Sequence, residues 1–283
     1  MLIAQITDLH LGATNGDPRE SNESRLDRVL ARLTSMRPRP DLLLLTGDLT
    51  ENGSSSAYAA LAERLAALDF PALLAVGNHD RRAAFRTHFP HVPVDGDFIH
   101  YVHDAGPLRI VVLDSLEEGR HGGSFCDRRA AWLKRRLDEA PDRPTIIVLH
   151  HPPIESGIGW MTIAPHAPWV TRLDEVLAGR SNVVAMLSGH LHRPMVSSWG
   201  GTIIAACPST APPLALELAP IDPAHPDGRP LVTADPPAYA LHLWTGTRLL
   251  THFETLGEHV PVARFDAQMQ PVIDWLVNQP AGD

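Results

Sequence analysis

The chain has 283 residues, 44% apolar and 20% charged, enough to bury a core as one large domain or two small ones. A formal charge of −9 argues against a protein that grips nucleic acid through a basic surface, although a local cation can still draw in a small anion. Cys126 and Cys207 form neither a disulfide framework nor a C-x-x-C pair, no apolar run reaches bilayer length, and the opening MLIAQITDLHLG has no basic n-region. We therefore expect a reduced, cytoplasmic chain without a membrane segment.

Apolar runs alternate with helical periodicity along the chain. LIAQI (2–6) reads as a strand. Leu26, Val29, Leu30, Leu33 and Met36 then fall at helical spacing until Pro38 and Pro40 stop the pattern. DLLLLTGD is apolar at every core position, as in a strand buried on both faces. A helix in SSAYAALAERLAAL and a strand in PALLAVGNHD follow, then LRIVVLDS as strand and CDRRAAWLKRRLDEA as helix. TIIVLHHPP as strand, TRLDEVLAG as helix and NVVAMLSGH as strand complete an α/β layered pattern. Residues 210–237 are rich in proline and suit a surface excursion. ALHLW and LLTHFETL, split by Thr245-Gly246-Thr247, predict a hairpin, and FDAQMQPVIDWLV predicts a terminal helix broken at Pro271.

Each of several strands ends in a polar cluster: Asp8-Leu9-His10, Gly47-Asp48, Gly77-Asn78-His79-Asp80, His150-His151-Pro152-Pro153 and Gly189-His190-Leu191-His192. In open α/β sheets ligands gather at the carboxyl ends of strands, so residues far apart in sequence would meet on one rim. Carboxylate, imidazole and amide oxygen are donors for first-row divalent metals, and the lack of thiolates disfavours a structural zinc cage. Residues i and i+2 of an extended segment face the same way, so Asp8 with His10, and His190 with His192, can each present two donors. Taken singly, each cluster has an ordinary reading: a surface pair, a helix cap at Asp48, a polar loop entry at His150. Their order along the chain carries the signal.

The series D-x-H, G-D, G-N-H-D, H-x-P, G-H-x-H resembles the calcineurin-like metallophosphoesterase superfamily over roughly residues 1 to 210. Within it, the chain is most similar to the bacterial class III cyclic-nucleotide phosphodiesterase and glycerophosphodiesterase group. The resemblance implies a four-layer αββα sandwich with a dinuclear metal site at the strand C-terminal ends. It implies that Asp8, His10 and His192 bind one ion, that Asn78, His150 and His190 bind the other, and that Asp48 bridges them. His150 would be the ligand in H-x-P register, with His151 behind it or facing substrate. His79 stands where the family places a catalytic histidine, with Asp80 either orienting its ring or capping the next helix. The implied cofactors are two divalent ions, manganese or iron first, with zinc and cobalt admitted.

With only Asp8 and Asp48 anionic among these ligands, two divalent ions leave the site about two charges positive, which suits a phosphodiester monoanion. The expected reaction is attack by a metal-bound hydroxide on small phosphodiesters: cyclic nucleotides, glycerophosphodiesters or phosphonate esters. Alternatives are a phosphomonoesterase or phosphoprotein phosphatase on the same scaffold, and a non-catalytic metal-binding scaffold such as the retromer subunit of this fold. Diesterases of this group often carry an acidic residue where this chain has Thr162, and Trp160, His166 and Trp169 are candidates for a substrate pocket. We expect one phosphoesterase domain over 1–260, with 210–237 as cap or oligomerisation element, and a tail over 261–283. Expected partners are a small phosphodiester and, as an open option, further copies of the chain in a homo-oligomer, but no membrane and no nucleic-acid polymer.

Overall fold

Strands and helices alternate largely as the periodicity predicts, in a computed structural model that describes residues 1–14, 17, 19–161, 164 and 166–279. Thr162 lies outside the described residues. One sheet has five strands in the order β11-β10-β1-β2-β3. At its heart β1 (Leu2–Ile6), β2 (Leu42–Thr46) and β3 (Ala72–Ala75) run parallel. The hairpin of β10 (Ala238–Trp244) and β11 (Leu249–Thr255) adds antiparallel to the free edge of β1.

The second sheet has six strands in the order β4-β5-β6-β7-β9-β8. Four of them are parallel: β5 (Leu108–Val112), β6 (Thr145–Val148), β7 (Val183–Ser188) and β9 (Thr202–Ala206). Antiparallel edges are supplied by β4 (Tyr101–Ala105) and β8 (Met195–Trp199). The sequence reading passes over β4, β8 and β9. YVHDA and MVSSW mix polar and apolar positions as edge strands do, and each is specified by its neighbour.

The two-residue period of the second sheet sorts its side chains into two cores. Ile110, Val112, Ile146, Val148 and Leu187 join one buried cluster with Ile3, Ile6 and Leu42–Leu45 of the first sheet. Their neighbours Val111, Leu113, Ile147, Leu149 and Met186 turn the other way. There they meet Leu133 and Leu137 of α4 (Asp127–Asp138), and Leu173 and Leu177 of α5 (Pro168–Leu177). On the first sheet, α1 (Asn22–Ser35) buries Leu26, Val29, Leu30 and Leu33, as its spacing predicts, and starts at Ser21, whose hydroxyl accepts from Ser24 N. With α2 (Ser55–Ala66) and the short α3 (Arg82–His88), this gives the four-layer αββα sandwich.

The terminal helix α6 (Gln270–Val277) is not broken at Pro271. Pro271 sits in its first turn, where the missing N–H would have no intrahelical partner anyway. α6 buries no residue, and no helix among the described residues is long and apolar enough to cross a membrane.

Leu44→Ala, at a fully buried position of β2, is expected to lower the free energy of urea unfolding by about 2–5 kcal/mol. Trp275→Ala on α6, where the residue is 64% exposed, should stay within about 0.5 kcal/mol. Similar losses for both would mean that α6 is part of the cooperative core.

Candidate metal centre

Five strand ends deliver the polar clusters to one place between the sheets. Asp8 and His10 follow β1, Asp48 follows β2, Asn78 and His79 follow β3, His150 and His151 follow β6, and His190 and His192 follow β7. The loops are stitched backbone to backbone: Asp8 N donates to Gly47 O, and Leu9 N and His10 N both donate to Asp48 O. His150 Nε2 lies 3.2 Å from Asp48 Oδ2, 3.2 Å from Asn78 Oδ1 and 4.0 Å from Asp8 Oδ1. His192 Nε2 lies 3.3 Å from Asp8 Oδ1 and 3.1 Å from His10 Nε2. All seven residues singled out as ligands from the sequence meet here.

The backbone is strained at these positions. Asp8, His10, Asp48, His190 and His192 have φ between 47° and 69°, and among the described residues they are the non-glycine positions with positive φ. Left-handed conformations of this kind persist where a site over-determines them. Gly77 is required by close approach: a Cβ there would stand 2.3 Å from Asp48 Oδ1 and 2.8 Å from the His150 ring.

Three imidazoles are oriented alike. His10 Nδ1 donates to Glu51 Oε2 (2.7 Å), His150 Nδ1 to the Thr46 carbonyl (2.8 Å) and His192 Nδ1 to the Pro212 carbonyl (3.2 Å). A carbonyl can only accept, so a hydrogen sits on Nδ1, and in the neutral ring that acts as a ligand the Nε2 lone pair faces inward. There it meets other lone pairs, those of Asp8, Asp48 and Asn78. Such an arrangement needs something positive in its midst, and the oxygen and nitrogen donors suit a divalent cation.

The titration of the groups follows the same logic. Burial opposes charge on His150, yet Asp48 and then Asp8 outweigh it and push the imidazole up to about 9. Burial would likewise raise Asp48, but His150 and His10 hold its carboxyl well below the usual range. Ligand atoms of Asp8, His10 and His192 lie within 4.8 Å of one another, as do those of His10, Asp48 and His79 and those of Asp8, Asp48 and His150. Asp48 thus belongs to groupings on both flanks.

His79 is one-third exposed, with its ring centroid 4.6 Å from that of His10. Its Nδ1 donates to the Glu51 carbonyl (2.8 Å), which leaves Nε2 as the ring nitrogen that Glu51 does not engage, and its backbone N donates to Asp48 Oδ1. Neither expectation for Asp80 survives. Its carboxylate accepts from Gly77 N, Leu49 N, Thr50 N and Tyr58 Oη, pinning the Asp48 loop to the Asn78 loop, and Arg81 is the N-cap of α3. Burial, then the nearby Asp48, pushes Asp80 up to about 6.

The sequence reading misses Glu51, which anchors His10 by its side chain and His79 by its backbone. The one available signal is its place three residues after Asp48, in the loop that must pass the His10 side.

Two cavities flank the cluster. One, of about 540 Å³, is lined by His10, Glu51, Asn52, His192, Pro212 and Thr233, so the proline-rich excursion supplies one of its walls. The other, of about 620 Å³, is lined by His121, Phe125, Trp160, Met161, Trp169 and His190. The His121 ring, unforeseen from the sequence, sits 4.7 Å from that of His190. Trp169 is buried, Trp160 is 38% exposed, and His166 is exposed outside this lining.

Residues 1–194 match the family model described as calcineurin-like phosphoesterase. The chain is 28% identical over 263 residues to a probable glycerophosphodiester phosphodiesterase of Arcobacter nitrofigilis, covering 91% of this chain and 94% of that one. It is 38% identical over 214 residues to a probable cyclic nucleotide phosphodiesterase of Rhodopseudomonas palustris, covering 71% and 75%. It is 32% identical over 217 residues to the 3',5'-cyclic adenosine monophosphate phosphodiesterase of Escherichia coli K12, covering 74% and 75%. Among solved structures, a dimetal phosphatase from Danio rerio shares the fold with a TM-score of 0.61 at 14% identity, over 89% of this chain and 98% of that one. The chain belongs to the calcineurin-like phosphoesterase family, and it is an enzyme that hydrolyses phosphoric esters.

Proposed function

We propose that the chain is a dinuclear metal-dependent phosphodiesterase acting on small phosphodiesters: cyclic nucleotides, glycerophosphodiesters or phosphonate esters. Asp8, His10 and His192 would hold one ion, Asn78, His150 and His190 would hold the other, and Asp48 would serve both. The observation that carries this reading is the inward set of Nε2 lone pairs and carboxylate oxygens within one strained, buried cluster. Manganese or iron is the preferred occupant, and zinc or cobalt is compatible with the same nitrogen and oxygen donors. Two divalent ions there would acidify water and withdraw charge from a phosphoryl oxygen.

The remaining work falls to the protein. Two anionic ligands against two divalent ions leave a site about two charges positive, which favours a monoanionic diester. His79, fixed through Nδ1, keeps Nε2 for the substrate and, when protonated, donates to the departing alkoxide. A diester carries two substituents, and the two flanking cavities offer room for both, whereas a monoester needs one. The names of the similar proteins agree with a diester substrate.

Asp48→Ala should lose both ions by metal analysis and all turnover; an Asp48→Ala protein with full metal content would contradict the bridge. His79→Ala should keep both ions while kcat falls about a hundredfold or more, the scale of a lost general acid. An unchanged kcat on a diester with a poor leaving group would remove His79 from the reaction. Wild-type protein reloaded with Mn²⁺ should hydrolyse bis-p-nitrophenyl phosphate faster than p-nitrophenyl phosphate. A monoester preference would reassign the substrate and favour the phosphomonoesterase alternative.

A further inference from the structure

We propose that His151 is a positioning residue and not a metal ligand: it holds the Asn78 amide with its oxygen toward the cluster and ties the 115–124 loop to the same point. The proposal rests on the metal-centre reading above. By proximity alone His151 would qualify as a ligand, because its donor atom lies within 4.8 Å of those of His150 and His190.

Its hydrogen bonds say otherwise. His151 Nε2 lies 3.2 Å from the His121 carbonyl oxygen and 3.2 Å from Asn78 Oδ1. The carbonyl only accepts, so Nε2 carries the hydrogen. Nδ1, 2.8 Å from Ser115 Oγ, is then the acceptor of the serine hydroxyl, while Ser115 Oγ accepts from His151 backbone N at 3.3 Å. This tautomer is the reverse of that in His10, His150 and His192, where Nδ1 is the donor and Nε2 faces inward as a lone pair. His151 has no lone pair to give the cluster, and its fully buried ring has no solvent to turn into.

The N–H at Nε2 has a specific use. An asparagine amide can present oxygen or NH₂, and only the oxygen can coordinate a metal. His150 Nε2 lies 3.2 Å from the same amide end and, once deprotonated to serve as a ligand, would by itself favour NH₂ there. His151 decides for the oxygen, since a flipped amide would set N–H against N–H. The loop closes tightly over the ring: a Cβ on Gly123 would stand 2.9 Å from His151 Cβ and 3.0 Å from its Cγ. One imidazole therefore sets both the Asn78 oxygen and the loop that carries His121 into the 620 Å³ cavity.

The test is Co²⁺ titration of chelator-treated full chain, read by calorimetry, metal stoichiometry and the visible Co²⁺ spectrum, with kcat and KM on bis-p-nitrophenyl phosphate alongside. His151→Ala should still take two ions per chain at saturation, with one of the two sites loosened about 10- to 100-fold, as for other groups that orient a ligand. Its saturated spectrum should match wild type, because no imidazole ligand is lost. His151→Gln, whose side-chain NH₂ can replace the donor, should recover most of the affinity. Ser115→Ala, which frees the tautomer without opening the core, should weaken the same site by a smaller factor. Saturation at one ion, or a spectrum short of one nitrogen ligand, would make His151 a ligand and overturn the proposal. Wild-type affinity in all three variants would overturn it as well. A wild-type chain that binds fewer than two Co²⁺ ions would instead bring down the dinuclear reading itself, whatever the variants do.

Discussion

Two carboxylates and several imidazoles share one buried site, with their ligand atoms turned toward each other. Burying such groups costs several kcal/mol for each charge unless an opposite charge lies among them. Asp8 is fully buried, Asp48 is 2% exposed and His150 is fully buried, so water contributes little. The rest of the molecule is organised around tolerating this concentration. Parallel strands aim their C-terminal ends at it, glycines let the loops approach, and five non-glycine residues accept left-handed backbone to face it.

Around that centre each donor is held from behind. Glu51, Thr46 O and Pro212 O fix three imidazoles through Nδ1, and Asp80 fixes the loops of Asp48 and Asn78 by accepting from backbone on both. Preorganisation of this kind means that little needs to move when a cation or an anionic substrate arrives. It also explains how a chain of net negative charge can serve an anionic substrate: the relevant field is local.

Much of this was legible in the sequence because it follows from periodicity and order. Runs such as LLLLT and TIIV announce buried parallel strands, and the five polar clusters stand directly after such runs. The convergence of Asp8, His10, Asp48, Asn78, His150, His190 and His192 could be expected from strand polarity alone. What could not be read is what depends on partners distant in sequence. Asp80 binds Tyr58 and three backbone amides rather than the adjacent His79, and nothing local distinguishes the two choices. The opposite tautomers of His150 and His151, adjacent and chemically identical, come from Thr46 on one side and Ser115 with His121 on the other. The edge strands β4 and β8, with mixed polarity, take their conformation from the strands they border.

The pairing of the first strand has a consequence for biosynthesis. Leu2 is registered against Leu243, and Thr210 and Ala211 close over the carbonyls of Thr7 and Asp8. A ribosome releases β1 long before β10, so the edge of β1 that β10 covers stays bare until β10 emerges. The nascent chain must hold an exposed, apolar strand edge through most of its synthesis, and contacts of such sequence separation are slow to form. The proposed metal centre spans Asp8 to His192 and so cannot be complete until the segment after β7 has emerged.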